Sequence, residues 1–402
     1  MIMKDIEKTL RAMNFSKDEL ETFEMVLELA KDFHDEIVPK AAGFEEEGLK
    51  LVDGKVIIPK GMEEIYKKMA ESGIFGLFID EKYGGTGLPY PLYTAVVEII
   101  SRACPCMGVA LAVHGTAIDS IVELGTQTAK DLYLPKMATG EMVGAIAFTE
   151  ANAGSDIGSI RMSADLQGDH YLLNGSKLFI TNAGISDVYT ILAVTDKEKG
   201  KKGLSAFVID MGIEGFSVSR LEHKLGLTAS PTGEIVLENY KVPKENLLGE
   251  EGRGLSYVLR GLSGGRIEIA AQAVGIAEAA LRESIAYTKE RKQFGQPICK
   301  FQAIQFKLAD MATRISAARK MYLHAAFLKD RKEDFFTEAS MAKLFASEMS
   351  IWVTNEAIQI HGGYGYTKEF GVERHYRDAK ITTIYEGTSE MQRIIISRGV
   401  LS

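Results

Sequence analysis

The feature that most constrains this 402-residue chain is that its hydrophobic period changes twice. Up to about Gly140 the apolar residues recur three and four apart, as in Phe23, Val26, Leu27 and Ala30, or Ile65, Met69 and Ala70. That is the spacing of helices with one buried face. From about Glu141 to Gly249 they gather in short runs between turn residues, the texture of strands. After Gly252-Arg253-Gly254 long helical periods return. Each face must be buried against a matching layer, so the order helical, β, helical predicts a multidomain α and β protein. The expected units are an N-terminal α-helical domain over 1–140, a middle β-barrel domain (or a sandwich) over 141–249, and a C-terminal four-helix bundle over 250–402.

Within these units, 48–59 reads as a short hairpin set between helices, and 83–89, rich in glycine, as a loop. Asn174-Gly175, between Tyr171-Leu172-Leu173 and Ser176–Ile180, predicts a tight hairpin turn, since Asn-Gly tolerates positive φ. Further strands are expected at 188–194, 204–209, 216–220 and 234–237, and bundle helices at 266–291, 302–328, 337–360 and 389–400.

Composition narrows the function classes. Lysine and arginine total 47 against 55 aspartate and glutamate, a formal charge of −8. An acidic surface repels nucleic acid and anionic lipid, while a few local arginines can still hold an anionic cofactor. Three cysteines, Cys104, Cys106 and Cys299, make no disulfide framework and no zinc-ligand pattern, so no metal is expected. The N-terminal segment has acids at once and reads as neither a signal nor a transit peptide. The longest uncharged stretch, 103–118, is too short for a membrane span. These points predict a soluble, cytoplasmic protein.

The sharpest chemical candidate is Glu386. The run before it is apolar and β-branched, which turns its carboxylate toward a poorly solvated place, and Gly387 permits a tight bend. Ser389 with Gln392 reads as a capping box that starts a helix. The helix N-terminus favours a charged Glu386, whereas desolvation raises its pKa toward that of a base for a weak carbon acid. Taken alone, Glu386 could equally cap the helix.

Several segments together widen the reading. Tyr385-Glu386-Gly387-Thr388-Ser389 resembles the terminal motif of the acyl-CoA dehydrogenase family, whose glutamate is the catalytic base. The segment from Ala147 to Asp156 is similar to the family's flavin- and substrate-lining segment, and Asn174 to Asn182 to the stretch on the isoalloxazine ring. Glu290-Arg291-Lys292-Gln293-Phe294-Gly295 and Gln359-Ile360-His361-Gly362-Gly363 resemble the segments that hold the FAD pyrophosphate and adenosine from a neighbouring subunit. The resemblance spans nearly the whole chain, in family order, and looks closest to the short-chain and broad bacterial branches.

It implies FAD as cofactor, an acyl-CoA substrate, an electron-transfer flavoprotein as partner, a homotetramer built as a dimer of dimers, and a place in fatty-acid β-oxidation. It implies cofactor contacts from Phe148, Thr149, Ser155, Phe179, Thr181, Arg291, Phe294, Gln302, Gln359, Gly362, Gly363, Thr388 and Glu390. Substrate contacts are implied for Ser155, Ser263, Arg266, Tyr385 and Gly387. Chemistry suits these residues. Ala153-Gly154-Ser155 offers N–H donors with little bulk, and Thr149 and Ser155 add hydroxyls. Thr181 would donate near the flavin N5, and Arg291 has the fork that pyrophosphate wants. Individually each has an ordinary alternative: a loop, a strand threonine, a solvated charge, or a helix C-cap at Gly362-Gly363. Tyr364 and Tyr366 have two readings, a place near the cofactor or, favoured over it, core or bundle packing.

Two positions depart from the family pattern. Phe179 stands where a tryptophan is frequent, and Ser263 where short-chain members carry an aspartate. Some relatives place their base just before the arginine matching Arg266; here that position is Gly265, which leaves Glu386. The implied reaction is α,β-dehydrogenation to a trans-2-enoyl-CoA, with backbone N–H groups near Glu386 and a flavin hydroxyl polarising the thioester oxygen. The rivals are an acyl-CoA oxidase, a glutaryl-type dehydrogenase and a non-catalytic nucleic-acid-binding relative. The first is opposed by the short tail after Glu386 and by Val400-Leu401-Ser402, which is no peroxisomal address. The second is opposed by the lack of arginine in 106–113, and the third by the acidic balance.

Overall fold

The computed structural model describes residues 2–13 and 15–401; Met1, Asn14 and Ser402, the last residue of the C-terminal tripeptide, lie outside the described residues. The N-terminal part is helical: α1 (Ile2–Arg11), α2 (Lys17–Ile37), α3 (Ala41–Glu47), α4 (Lys60–Glu71), α5 (Tyr90–Ala103), α6 (Pro105–Leu124) and α7 (Gln127–Ala138). Between α3 and α4 lies the expected hairpin, β1 (Lys50–Val52) and β2 (Lys55–Ile57), turned by Asp53 and Gly54 at φ 50° and 75°. A capping box starts α2: Ser16 Oγ accepts from the Glu19 N–H (3.2 Å) while Glu19 Oε2 accepts from the Ser16 N–H (2.7 Å). Phe23, Leu27, Ala30 and Phe33 then face the core at helical spacing. α6 is long and apolar enough to cross a membrane, yet its apolar window is 89% buried inside the protein, which makes it a core helix.

The middle part holds β3 (Gly144–Ala147), β4 (Ser163–Gln167), β5 (His170–Thr181), β6 (Val188–Val194), β7 (Leu204–Asp210), β8 (Phe216–Leu221), β9 (Thr232–Pro243) and β10 (Leu247–Leu248). They form one sheet in the order β10-β7-β6-β4-β5-β9-β8, with β3 parallel to β6. Among the described residues no pairing joins β10 to β8, so the barrel is an open one.

Asn174-Gly175 is not a turn. β5 runs straight through it, and the chain reverses at Gly168-Asp169 instead. Pairing with β9 jumps from Leu173–Tyr240 to Gly175–Leu237, a bulge in which Gly175 sits at φ 145° and Asn174 Oδ1 accepts from the Asn239 N–H (2.7 Å). A Cβ on Gly175 would lie 3.0 Å from Met162 Cα. Positive φ was read correctly, but long-range pairing turned it into a bulge.

After the sheet come α8 (Gly254–Glu290), a small ribbon of β11 (Lys292–Gln293) and β12 (Gln296–Pro297), α9 (Gln302–Asp330), α10 (Phe336–His361), α11 (Val372–Lys380) and α12 (Ser389–Leu401). α8, α9 and α10 pack mutually, α12 lies on α10, and α5 and α6 cover α8 from the N-terminal part. α8 starts well before Arg266 despite its glycines. Close packing there outweighs their helix cost: a Cβ on Gly254 would sit 2.6 Å from the backbone of Ser205 and Ala206.

Candidate active site

Glu386 lies in a tight reversal between a 3-10 turn (Ile381–Thr383) and α12, with φ 51° at Glu386 and 89° at Gly387. Positive φ on a glutamate is strained and persists only where surroundings enforce it. Three hydrogen bonds do so. Gln392 Nε2 donates to the carbonyls of Glu386 (3.1 Å) and Gly387 (2.8 Å), and Lys343 Nζ, from α10, donates to the Gly387 carbonyl (2.7 Å). The predicted Ser389–Gln392 capping box is therefore corrected. Thr388 is the cap, its Oγ1 accepting from the Met391 N–H (3.3 Å), and Gln392 reaches back to brace the base loop.

One oxygen of the carboxylate is shut off from solvent, on a side chain that is otherwise half-buried. Glu386 Oε2 is buried and has no hydrogen-bond partner among the protein atoms. Burial pushes its pKa up to about 7, against the opposing charges of Arg266 and Lys343. Those cations pay for closeness too: burial draws Lys343 down to about 7 and lowers Arg266. Gly265 is what admits the carboxylate, since a Cβ there would lie 2.9 Å from Glu386 Oε2. Arg266 NH1 donates to Ser263 Oγ (2.9 Å), and both residues are buried. Ser263 thus sits beneath Arg266. Tyr385 donates its hydroxyl to Gln272 Oε1.

A second patch carries Phe148, Thr149, Phe179 and Thr181. The buried Lys177 on β5 binds the Phe148 carbonyl (3.3 Å) and Glu150 Oε1 (2.8 Å), while the Leu178 N–H donates to the Thr149 carbonyl (2.8 Å). These bonds clamp 148–150 onto β5. Burial lowers the Lys177 pKa to about 8, even beside Glu150. Phe179 stands at φ 58° and is 60% exposed, at an irregularity in the β5–β9 pairing. An outward phenyl ring suits stacking by a flat heterocycle. Asn182 Nδ2 donates to the Ala110 carbonyl (3.1 Å), which ties this patch to α6. Ser155 is exposed, on the loop that follows.

The remaining cofactor candidates lie elsewhere. Arg291 caps α8 and shares a cavity of about 490 Å³ with Tyr287, His361, Gly362, Gly363 and Tyr364. The Tyr287 and His361 rings stack at 4.3 Å, and the Arg291 guanidinium lies over the Tyr364 ring at 5.5 Å. Gly362 caps α10 at φ 62°, and nothing lies within 4 Å of a Cβ built on it or on Gly363. Phe294 is 93% exposed; Gln302, Gln359 and Glu390 are also exposed. Of the two readings of Tyr364 and Tyr366, core packing does not hold: both are exposed, and Tyr364 lines the cavity beside Phe370.

α8 separates this cavity from Glu386. Gly265 and Arg291 are about 39 Å apart along one continuous helix at 1.5 Å per residue. Sequence reasoning missed Lys343, Gln392, Lys177 and Tyr287. Lys343 alone had a signal, a charge on the Ala339–Ala342–Ala346 face of its helix.

The site sets a carboxylate with a buried, unpartnered oxygen and an outward aromatic shelf on a helix–sheet–helix scaffold. Family models described as the acyl-CoA dehydrogenase N-terminal, middle and C-terminal domains match residues 20–141, 145–240 and 252–401. The chain belongs to the acyl-CoA dehydrogenase family, a family of FAD-dependent flavoproteins, and is an enzyme of that class with FAD as its cofactor. It is 45% identical over 376 residues to a short-chain-specific acyl-CoA dehydrogenase of Clostridium acetobutylicum, covering 93% of this chain and 96% of the other. An acryloyl-CoA reductase (NADH) of Anaerotignum propionicum is 42% identical, covering 100% and 99%. A chain in the solved structure described as the electron transferring flavoprotein of Acidaminococcus fermentans superposes with a TM-score of 0.89 at 42% identity, covering 96% and 99%.

Proposed function

We propose that this enzyme interconverts a short acyl-CoA thioester and its trans-2-enoyl-CoA in the cytoplasm, with Glu386 as the base at the α-carbon. The observation that carries the reading is the unpartnered, buried Oε2 of Glu386, whose pKa is pushed to about 7. A base near neutrality suits a weak carbon acid. N–H groups of the Glu386 turn polarise the thioester oxygen. Arg266 and Lys343 keep Glu386 ionised without neutralising it by contact, and Gln392 fixes its backbone. FAD supplies the acceptor for the hydride from the β-carbon.

Phe148, Thr149, Ser155, Phe179, Thr181, Thr388 and Glu390 would hold the flavin half from one chain. Arg291, Phe294, Gln302, Gln359, Gly362 and Gly363 would hold the other half from a second copy, in a homotetramer. Ser155, Ser263, Arg266, Tyr385 and Gly387 would serve the substrate. The place of the Arg291 cavity at the far end of α8 from Gly265 supports an assembly of copies. We read 1–140, 141–249 and 250–402 as the three units. The name of the Clostridium relative supports a short acyl chain, and the Acidaminococcus structure supports an electron-transferring flavoprotein as partner.

Glu386→Gln tests the base. The variant keeps its yellow cofactor but is not bleached by acyl-CoA under anaerobic conditions; bleaching at the wild-type rate would refute the assignment. The relative named as a reductase makes direction a separate measurement, namely reoxidation of the reduced enzyme by enoyl-CoA.

A further inference from the structure

Beside Glu386, across Gly264 and Gly265, four helices bring together a second buried acid and its partners. Glu268 on α8 is wholly buried. Its Oε2 is 2.8 Å from Thr116 Oγ1 on α6, and its Oε1 is 2.9 Å from the Tyr90 hydroxyl at the start of α5. Each hydroxyl also has a backbone carbonyl in reach: Ala112 O at 3.3 Å for Thr116, and Gly264 O at 3.4 Å for Tyr90. This choice of acceptors matters. When Glu268 is ionised, both hydroxyls donate to it. When it is protonated, one hydroxyl turns to its carbonyl and accepts the proton of the acid. Either state leaves the group satisfied.

The two ends of this cluster are set by Gly264 and Gly265. A Cβ on Gly265 would be 2.9 Å from Glu386 Oε2 and 3.0 Å from Thr116 Oγ1. Those two oxygens are therefore within about 6 Å of each other, a separation that one water bridges. A Cβ on Gly264 would be 2.6 Å from Asp119 Oδ2 and 3.4 Å from the Tyr90 hydroxyl, so that pair too is within about 6 Å. Asp119 is ion-paired to Lys329 Nζ of α9 at 2.7 Å, and Lys329 is the first member with access to solvent, its side chain 12% exposed. Tyr93 is close by but spends its hydroxyl on the Leu111 carbonyl (2.6 Å).

Resting on the reading of Glu386 as base, we infer that Glu386, Thr116, Glu268, Tyr90 and the Asp119–Lys329 pair form a proton path from the base to solvent behind the bound substrate. The proton taken from the α-carbon leaves Glu386 through a bridging water. Thr116 accepts it at Oγ1 while passing its own proton to Glu268 Oε2; Glu268 gives a proton from Oε1 to the Tyr90 hydroxyl, whose own proton crosses a second bridging water to Asp119. No electrons move, and each station returns to its starting state once a proton has left at Asp119. The stations are matched: burial holds Glu268 at about 8, close to the value of about 7 at Glu386, so transfer between them is nearly level. Asp119 is raised by the same cause. A path of this kind has a use. Substrate closes the front of the site, and the base must still be cleared of its proton before the next turnover.

The experiment uses the FAD-loaded enzyme saturated with a 3-thiaacyl-CoA of accepted chain length. Its sulfur replaces the β-carbon, so it can lose an α-proton but has no hydride to give. Exchange of its α-hydrogen with D2O, followed by mass spectrometry, reports escape of the proton from Glu386. Anaerobic bleaching by a true substrate reports abstraction itself. Glu268→Gln and Thr116→Val are expected to slow exchange tenfold or more while bleaching falls far less, and Thr116→Ser restores exchange. Wild-type exchange in both Glu268→Gln and Thr116→Val overturns the path. So does an equal fall of exchange and bleaching, which would mean that these residues only hold the base in place. Absence of bleaching in the wild-type enzyme would instead sink the proposed function.

Discussion

Where α8 passes Glu386 it is wrapped by α5, α6, α9 and α10; where it ends at Arg291 it faces an open cavity. The first region is made by exclusion of water. Its charged groups are few, buried and incompletely paired, and their pKa values move because solvent cannot reach them. The second is built from aromatic rings, glycines and one half-buried arginine around an open cavity, with Gly362, Gly363 and Tyr364 exposed. The difference teaches that burial alone can shift the charges of one region, whereas the other keeps its rings and glycines open for a ligand or, as proposed above, for a site shared with another copy.

The largest expected effect falls on the closed end. Gly265→Ala should cut the rate of anaerobic bleaching by about a hundredfold, since a methyl at that place displaces the base from its reacting geometry. FAD content should stay at the wild-type level. A variant that bleaches normally would show the closed end to be more compliant than its packing suggests.

At the open end, Arg291→Ala should weaken FAD retention by roughly ten- to a hundredfold, the worth of a charge-assisted hydrogen bond. Turnover should return when FAD is supplied in excess. If turnover stays lost at saturating FAD, the two ends are not separable in this way.

The pH dependence sharpens the contrast. The rate of bleaching at limiting substrate should rise as pH increases through about 7, where Glu386 ionises, and then level off. Removing the nearby cation in Lys343→Met raises the pKa of the base, so the rise should move to higher pH. A rise that stays in place would leave Lys343 the single task of holding the Gly387 carbonyl. Stability carries the matching sign. The folded pKa of Glu386, about 7, lies above its ordinary 4.5, so the protonated acid stabilises the fold. That contribution is complete below 4.5 and is lost as pH climbs through about 7. Glu386→Gln should therefore gain on the wild type in denaturant titrations as pH rises across that window.

The smallest effect separates two neighbouring hydroxyls. Thr388→Ala should cost about 1 kcal/mol for loss of a helix cap, and Ser389→Ala close to nothing, since Ser389 Oγ has no partner to lose. Thermal unfolding of the two variants decides it; equal losses would return the cap to Ser389.

Much of the fold was legible in the sequence because the elements carry their own local signals. The periodicity of α2, the hairpin within 48–59, the strand at 188–194 and three of the bundle helices match their observed bounds closely, while α8 begins twelve residues before the expected Arg266. Glu386 was singled out because its segment combines an apolar approach, a glycine and a helix start. Asn174-Gly175 misled because its preference for positive φ serves a bulge as well as a turn, and only pairing with β9 decides between them. Ser389–Gln392 misled because a capping box is a spacing, and Thr388 one residue earlier took the role.

By itself, then, the sequence determined the kinds of element and their order, because those depend on neighbours a few positions away, while Glu386 stood out as a base only through the family resemblance. The pairing of Lys343 with the Gly387 carbonyl, of Thr116 with Glu268, and of Glu386 with the bare flank of Gly265 was decided by the tertiary structure. These partners are far apart in the chain and have no shared period to betray them. Their energetics come from desolvation, which exists only once several helices have closed around the same few atoms.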